Sequence, residues 1–442
     1  MADIKLMYKN LGVNKPLLGH YLRGVGIIAI GIGLHFAPMI TESRASEFQP
    51  QNQGFWGVEE KEAQDKNKPA KEAHKEGAET EFDESLNLNE REYRQVFRHA
   101  TQQVASQLRK RWRRAEMSNQ DQWVSYENDL STRRTVDFAA NEIRITTLES
   151  NSEFQRAMRG FIKQQLEEVI SASIQSANES DPVLKIVRRK LKLSTQPRYG
   201  TEELVLSELF ASAQPSKQQV ARQADKLLMH SYIRFRQQLA ANGDDKVAYL
   251  ENKVTYVVPL PKDRVARKAR QYSSMIRLNS EKMDIPSDVL FAIIHTESYF
   301  NPIARSVVPA FGLMQIVPST AGRDATRHLY KKPRVLSPSY LFNPEKNIEI
   351  GSAYLNLIYF HYLKEINKPL SRMYCAIAAY NTGTSNVAKA FISRASMESA
   401  AAEINKLSDE QVLRKLINNL PHQETRDYLK KVMKRKRLYP SV

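Results

Sequence analysis

Val289 to Ile294 read Val-Leu-Phe-Ala-Ile-Ile, apolar on every side of any helix they form, and a helix with no polar face has to be enclosed. Pro286 and Ser287 supply a start signal just ahead of it, and Pro302 stops or redirects the chain just beyond. Around this segment the whole chain after Pro261 is periodic at helical spacing. Arg264 to Asp284 reads as one helix, with Val265, Ala269, Tyr272 and Ile276 on its stripe, and Ser287 to about Ser298 as a second. Further helices suit 346–364, 371–380, 385–393, 409–418 and 422–437. Pro302, Pro309, Pro318, Pro333, Pro338, Pro344 and Pro369 keep most of them short. Residues 262–442 are therefore predicted to be a mainly α unit.

Upstream the pattern is mixed. Residues from about 91 begin a helix with Tyr93, Val96, Phe97, Val104 and Leu108 roughly on one face. WVSYENDL, RRTVDFAA and EIRITTLE are β-rich, with Ala140-Asn141 as a hairpin tip. A strong helical stripe follows: Phe154, Met158, Phe161, Ile162, Leu166, Val169 and Ile170. Another helix is predicted over 216–241, and KVTYVVPLP at 253–261 is a last strand. The fold class is α+β: an N-terminal α+β domain over 91–261, then the mainly α unit. Residues 46–90, rich in Gln, Glu, Lys, Asn and Ala, lack any apolar period and read as a solvated linker.

Residues 24–38, GVGIIAIGIGLHFAP, follow a basic stretch holding Lys5, Lys9, Lys15 and Arg23 and precede Ser43-Arg44-Ala45, a small-x-small site. Residues 1–45 thus read as a signal peptide or, uncleaved, as a membrane anchor, and the chain as exported to the periplasm and membrane-associated through 24–38. No apolar run reaches 18 residues, which excludes a polytopic membrane protein. The single cysteine, Cys375, excludes an internal disulfide and any multi-cysteine metal site. No cysteine follows the apolar core, so the chain is not expected to be a lipoprotein. Lys and Arg number 66 against 49 Asp and Glu, a net +17 that suits a polyanionic partner.

Chemistry concentrates in IPSDVLFAIIHTESYFNPIARSVVPAFGLMQIVPSTAG, residues 285–322. Glu297 falls near the C-terminus of the enclosed helix. Desolvation and the negative end of the helix dipole both disfavour its charged form, which suits general-acid work. His295, two residues earlier, faces largely away from Glu297 and reads as a packing histidine. GLMQ at 312–315 sets a glycine, a flexible apolar side chain and an amide in succession. AAYNTG at 378–383 puts an aromatic hydroxyl beside an amide, and ETRDYL places Glu424 and Tyr428 on one helical face. Tyr, Asn, Gln and Met suit a sugar groove, because pyranose rings offer apolar faces and dense hydroxyls.

In this order the motifs resemble the lytic transglycosylase family with a lysozyme-like domain. The matching residues are Glu297, Ser298, Phe300, Asn301, Pro302, Ala304 and Ser306, then Gly312 to Gln315, then Ala379, Tyr380, Asn381 and Gly383, then Glu424, Thr425 and Tyr428. The likeness covers roughly 265–440, and WVSYENDLSTRRTVDFAANEIRITTL resembles the N-terminal domain of membrane-bound members. The family's glycine-rich stretch after A-Y-N is thinned here to Thr382-Gly383-Thr384-Ser385-Asn386. The resemblance implies a lysozyme-like catalytic fold. It implies cleavage of peptidoglycan between N-acetylmuramic acid and N-acetylglucosamine, leaving 1,6-anhydro ends. By carry-over Glu297 is the catalytic acid and then the base, assisted by the substrate's own acetamido group. Ser306, Gln315, Tyr380 and Asn381 would orient the sugar, Met314 would pack on a ring face, and Glu424 and Tyr428 would line the site. No cofactor and no metal are expected.

Two other readings belong beside this one: a lysozyme-type muramidase that admits water, and a wall-binding protein without catalysis. RKRWRR at 109–114, VRRKLK at 187–192 and KKVMKRKR at 430–437 read as solvated faces that meet anionic lipid heads or wall carboxylates. Nucleic acid is not an expected partner. The N-terminal domain shows no catalytic constellation. It is expected to orient the enzyme on the wall, so that removing 91–260 weakens sacculus binding and spares activity on soluble glycan.

Overall fold

The computed structural model describes residues 89–127, 129–148, 152–193, 202–235 and 254–439. The predicted signal or anchor over 1–45 and nearly all of the predicted linker, 46–88, lie outside them.

Helix α1 (Glu90–Arg109) starts at a capping box, in which Asn89 and Glu92 each accept a hydrogen bond from the other's backbone N–H at 3.0 Å. Its buried stripe is Tyr93, Phe97, Ala100, Val104 and Leu108. Strands β1 (Gln122–Tyr126), β2 (Thr132–Asp137), β3 (Glu142–Thr147), β4 (Tyr232–Phe235) and β5 (Val254–Pro259) form one antiparallel sheet in the order β1-β2-β3-β5-β4. The register aligns Trp123, Val136, Ile143 and Val258 across four strands, and all four are buried. Asn141, at φ +57°, turns the predicted hairpin. Helices α2 (Ser152–Ile170) and α5 (Lys217–Leu228) pack on the sheet. Between them lie α3 (Ile174–Ser180) and α4 (Pro182–Leu191), the latter capped by Asp181, whose side chain accepts from Val183 and Leu184.

Two predicted helices need correction. The one drawn over 216–241 ends at Leu228, because the chain then pairs with β5 as β4, and strand pairing overrides local helical preference. The predicted helix from Arg264 to Asp284 breaks at Tyr272 into α6 (Arg264–Gln271) and α7 (Ser273–Met283). No proline or glycine stands there. Instead the Tyr272 hydroxyl donates to Glu203 at 3.0 Å, holding the break against the N-terminal half.

Helix α6 is the seam of the molecule. Arg264, almost wholly buried, pairs with buried Glu208 at 3.1 Å, donates to the Asn141 side chain at 2.8 Å and donates to the Phe138 carbonyl at 3.2 Å. Lys268 pairs with Glu203 at 2.7 Å and donates to Ser207 at 2.5 Å. A buried charge left unpaired is very costly, so this network allows one placement of the helical half against the sheet.

The enclosed helix is α8 (Ser287–Ser298), flanked by α7 and by α16 (Gln423–Lys436). Val289 to Ile294 are all buried, and each full-sized apolar side chain so enclosed contributes about 1.5–3 kcal/mol. Around it lie α9 (Arg323–Tyr330), α10 (Pro338–Phe342), α11 (Pro344–Asn356), α12 (Pro369–Thr382), α13 (Thr384–Lys389), α14 (Met397–Asn405) and α15 (Asp409–Asn419). The fold is α+β as predicted, a sheet-bearing half followed by a helical one.

Candidate active site

Glu297 is the penultimate residue of α8, which ends because Tyr299 and Phe300 turn left-handed, at φ +51° and +60°. Ser298 then ties the helix end to the next loop, its hydroxyl donating to the Leu313 carbonyl at 2.8 Å. That loop needs a glycine: Gly312 has φ +76°, and a Cβ there would lie 2.2 Å from the Leu341 carbonyl oxygen and 2.3 Å from Asn347 Nδ2. Asn347, fully buried on α11, clamps the loop by donating to Phe311 and Leu341 carbonyls at 2.8 and 2.7 Å and accepting from Met314 N–H at 2.7 Å.

Burial dominates the acid's electrostatics. Glu297 is 7% exposed, and desolvation pushes its pKa up to about 8, with the Glu424 charge adding in the same direction. The Tyr428 hydroxyl lies near enough to pull the other way, although it is buried and closes no hydrogen bond of good geometry. Tyr380, raised well above the usual phenol range mainly by burial, also feels the Glu297 charge. Its hydroxyl donates to the Met314 carbonyl at 2.8 Å. Asn381 is exposed beside it, its side-chain oxygen accepting from Thr425 at 2.8 Å, and Glu424 is exposed one residue before that threonine. Glu297, Tyr380, Asn381, Glu424 and Tyr428 thus meet at the ends of α8, α12 and α16.

Three predicted sugar contacts do other work. Met314 is fully buried against Gly351, where a Cβ would fall 2.4 Å from its sulfur, so it fills the core and presents no ring platform. Gln315 is also buried, and its Nε2 donates to the carbonyls of Ala304 and Gly312 at 3.0 Å each, bracing the loop. The Ser306 hydroxyl donates to the Val308 carbonyl and accepts from Ala310 N–H at 3.2 Å, which closes a turn and leaves the acid unbonded by it. His295 packs as predicted: its ring touches Tyr299, Phe300 and Tyr439, and its pKa is driven down to about 3, first by burial and then by Arg435 and Arg264.

The unforeseen member is Gln120. It sits in the polar turn before β1, and its Nε2 donates to Glu297 Oε2 at 3.3 Å, across 177 residues of sequence. Nothing in Ser-Asn-Gln-Asp-Gln at 118–122 signals this, because the contact exists only once the seam at α6 is closed. It gives residues 91–260 a side chain against the acid, a contact that the absence of a catalytic constellation in that domain did not suggest. Gln120→Ala is expected to lower kcat/KM about fivefold, the worth of one ordinary hydrogen bond, with the fold intact by circular dichroism. An unchanged kcat/KM would leave Gln120 a mere neighbour.

The raised acid also has a stability consequence. Folded Glu297 keeps its proton up to about 8, whereas an unfolded glutamate releases it near 4.5. Between these values the native state holds more protons, so stability falls as pH rises, by ~1.4 kcal/mol per pH unit. Glu297→Gln is therefore expected to be about as stable as the parent near pH ~4 and ~3 kcal/mol more stable near pH ~7, measured by urea unfolding at both values. Equal stability at both values would mean the carboxyl is not held neutral.

Comparison with known proteins finds a family for the chain. The family profile described as Transglycosylase SLT domain matches residues 274–402, and that described as Membrane-bound lytic murein transglycosylase C, N-terminal domain, matches residues 90–175. Membrane-bound lytic murein transglycosylase C of Histophilus somni (strain 2336) is 41% identical over 191 residues, 42% of this chain and 51% of the relative. The chain thus spans about half the length of the first curated relatives it matches. The protein of that name from Klebsiella pneumoniae (strain 342) is 32% identical over 311 residues, 70% of this chain and 79% of the relative. Among solved structures, a 70-kDa soluble lytic transglycosylase in complex with bulgecin A is 27% identical over 40% of this chain and 25% of its own, with a TM-score of 0.31.

Proposed function

The chain belongs to the lytic murein transglycosylases, with relatives named membrane-bound lytic murein transglycosylase C, and on that footing we propose that it cleaves peptidoglycan between N-acetylmuramic acid and N-acetylglucosamine, leaving 1,6-anhydromuramic ends. The observation that carries this reading is Glu297, a carboxyl buried where α8 stops, with desolvation raising its pKa to about 8. A neutral carboxyl can protonate the leaving glycosidic oxygen. The substrate's acetamido group assists departure, and Glu297, now a carboxylate, takes the proton of the muramoyl 6-hydroxyl. The same residue ends as it began, and no water enters the product.

Within this reading Glu297 is the catalytic residue, and Tyr380, Asn381, Glu424 and Tyr428 line the sugar groove. Ser306, Met314 and Gln315 contribute by shaping the loop that walls it. Residues 262–442 form the lysozyme-like catalytic domain, and 91–261 form an N-terminal domain that borders the groove through Gln120. The glycan strand is the partner, and no cofactor or metal enters the steps. The relatives are named membrane-bound, and among the described residues no helix is long and apolar enough to cross a membrane. We place the protein in the periplasm, with 24–38 as the segment that directs it to the membrane.

Digestion of purified sacculi tests the reaction. Soluble fragments one water lighter than their hydrolytic counterparts, without new reducing ends, are the expected product. Reducing ends would mean a muramidase, and binding without release of fragments would mean a wall-binding protein.

A further inference from the structure

A cavity of about 770 Å³ opens where the sheet meets the loop after α8. Its charged lining is one-sided: Arg113, Arg114, Arg133, Arg144, Arg234 and Arg305, against Glu116 alone. Internal pairing uses part of this charge. Arg144 meets Asp137 and Glu142 at 3.0 Å each, Arg305 meets Asp181 at 3.1 Å, and Arg133 meets Glu116 at 3.1 Å.

Arg133 is the informative member. It is 5% exposed and held 4.6 Å over the Trp112 ring, so its fork is fixed in place. Its Nε and Nη1 have no hydrogen-bond partner among the described residues. Arg305, equally buried, has its Nε in the same condition. Buried guanidinium N–H groups without acceptors are costly, and a planar carboxylate matches them in charge and in shape. Arg114 is exposed at the cavity, where it can meet a further acidic group. The size suits a short peptide and exceeds what a single small ion fills.

Position supplies the identity. Ser306 and Val307 of the helical half form one edge of the cavity, and Asn119 of the N-terminal half lines it as well. The next residue, Gln120, is the one bonded to Glu297. A strand lying against the acid can therefore drop a side branch into this basin. We propose that the arginine basin binds the acidic peptide stem carried by a muramoyl residue of the strand being cut, which makes the enzyme selective for stemmed over bare glycan. This rests on the wall-cutting reading above.

The test is the ratio of affinities for labelled glycan strands with intact stems and strands stripped by an amidase, measured by fluorescence anisotropy. The full chain carries Glu297→Gln, so that neither strand is cut. Stemmed strands are expected to bind about tenfold tighter, with the preference shrinking in high salt. Adding Arg133→Lys, which keeps charge and loses the fork, together with Arg114→Gln brings the ratio to within about twofold. Arg114→Gln alone, a surface change, lowers it about threefold and carries the test if the buried substitution disturbs folding. A parental ratio near one, or a ratio the variants leave intact, overturns the proposal. So does a loss of binding to phosphatidylglycerol vesicles in the variants with the stem preference unmoved, which would assign the basin to lipid. Whether the unsubstituted chain releases fragments from sacculi is read separately, so failure of the cutting reaction and failure of the basin are distinguishable.

Discussion

Glu297→Gln is expected to lower the rate of murein cleavage by about 10³-fold while leaving strand binding within a few-fold of the parent. General acid catalysis by a positioned group is worth roughly 10²–10⁴ in rate, and here one residue serves in both proton transfers. The amide keeps the shape of the carboxyl and its hydrogen-bonding reach towards Gln120, so the loss belongs to the proton. Because the same substitution removes a buried ionisable group, the variant is expected to be the more stable protein at neutral pH. Dead and stabilised together is a signature that a general packing defect does not give. Cleavage at more than about a tenth of the parental rate would move the acid elsewhere.

Asn347→Ala is expected to destabilise the fold by about 4 kcal/mol and to abolish activity with it. The alanine leaves the Leu341 carbonyl and the Met314 N–H without their partner, while the Phe311 carbonyl loses one donor and keeps the Ile316 N–H at 3.0 Å. Each such group costs about 1–3 kcal/mol when water cannot reach it. The Met314 backbone is also where Tyr380 is anchored, so the wall of the groove and its tyrosine shift together. Urea unfolding reads the stability, and kcat of the folded fraction at low temperature reads the groove. A loss below about 1 kcal/mol would mean the loop is held by its neighbours without the clamp.

Local pattern carried most of what positions the acid. An all-apolar hexapeptide can only be enclosed, and Pro302 can only stop it soon after, so both α8 and the terminal place of Glu297 were legible from neighbouring residues. The hairpin at Asn141 was legible for the same reason. The Gly-Leu-Met-Gln motif marked the right loop, yet sequence alone does not say which side of a loop faces the core. Met314 and Gln315 turn inward because Gly351 leaves room for the sulfur and because the Gln315 amide bonds the loop's own carbonyls. Asn347 lies in the first turn of α11 with no local oddity, and Gln120 lies in an ordinary polar turn. Both acquire their roles from contacts that exist only after tertiary folding. The break at Tyr272 and the strand after Leu228 escaped detection likewise, each being set by a partner far along the chain, Glu203 in one case and β5 in the other.

The account depends on Glu297 entering the reaction protonated. Carboxyl ¹³C chemical shifts of glutamate-labelled protein, compared between the parent and Glu297→Gln, isolate the titration of this one group. A midpoint close to about 8 is the predicted result. A midpoint near 4.5, the value of a glutamate in water, would contradict it, because the residue would then be a carboxylate at neutral pH with no proton to give.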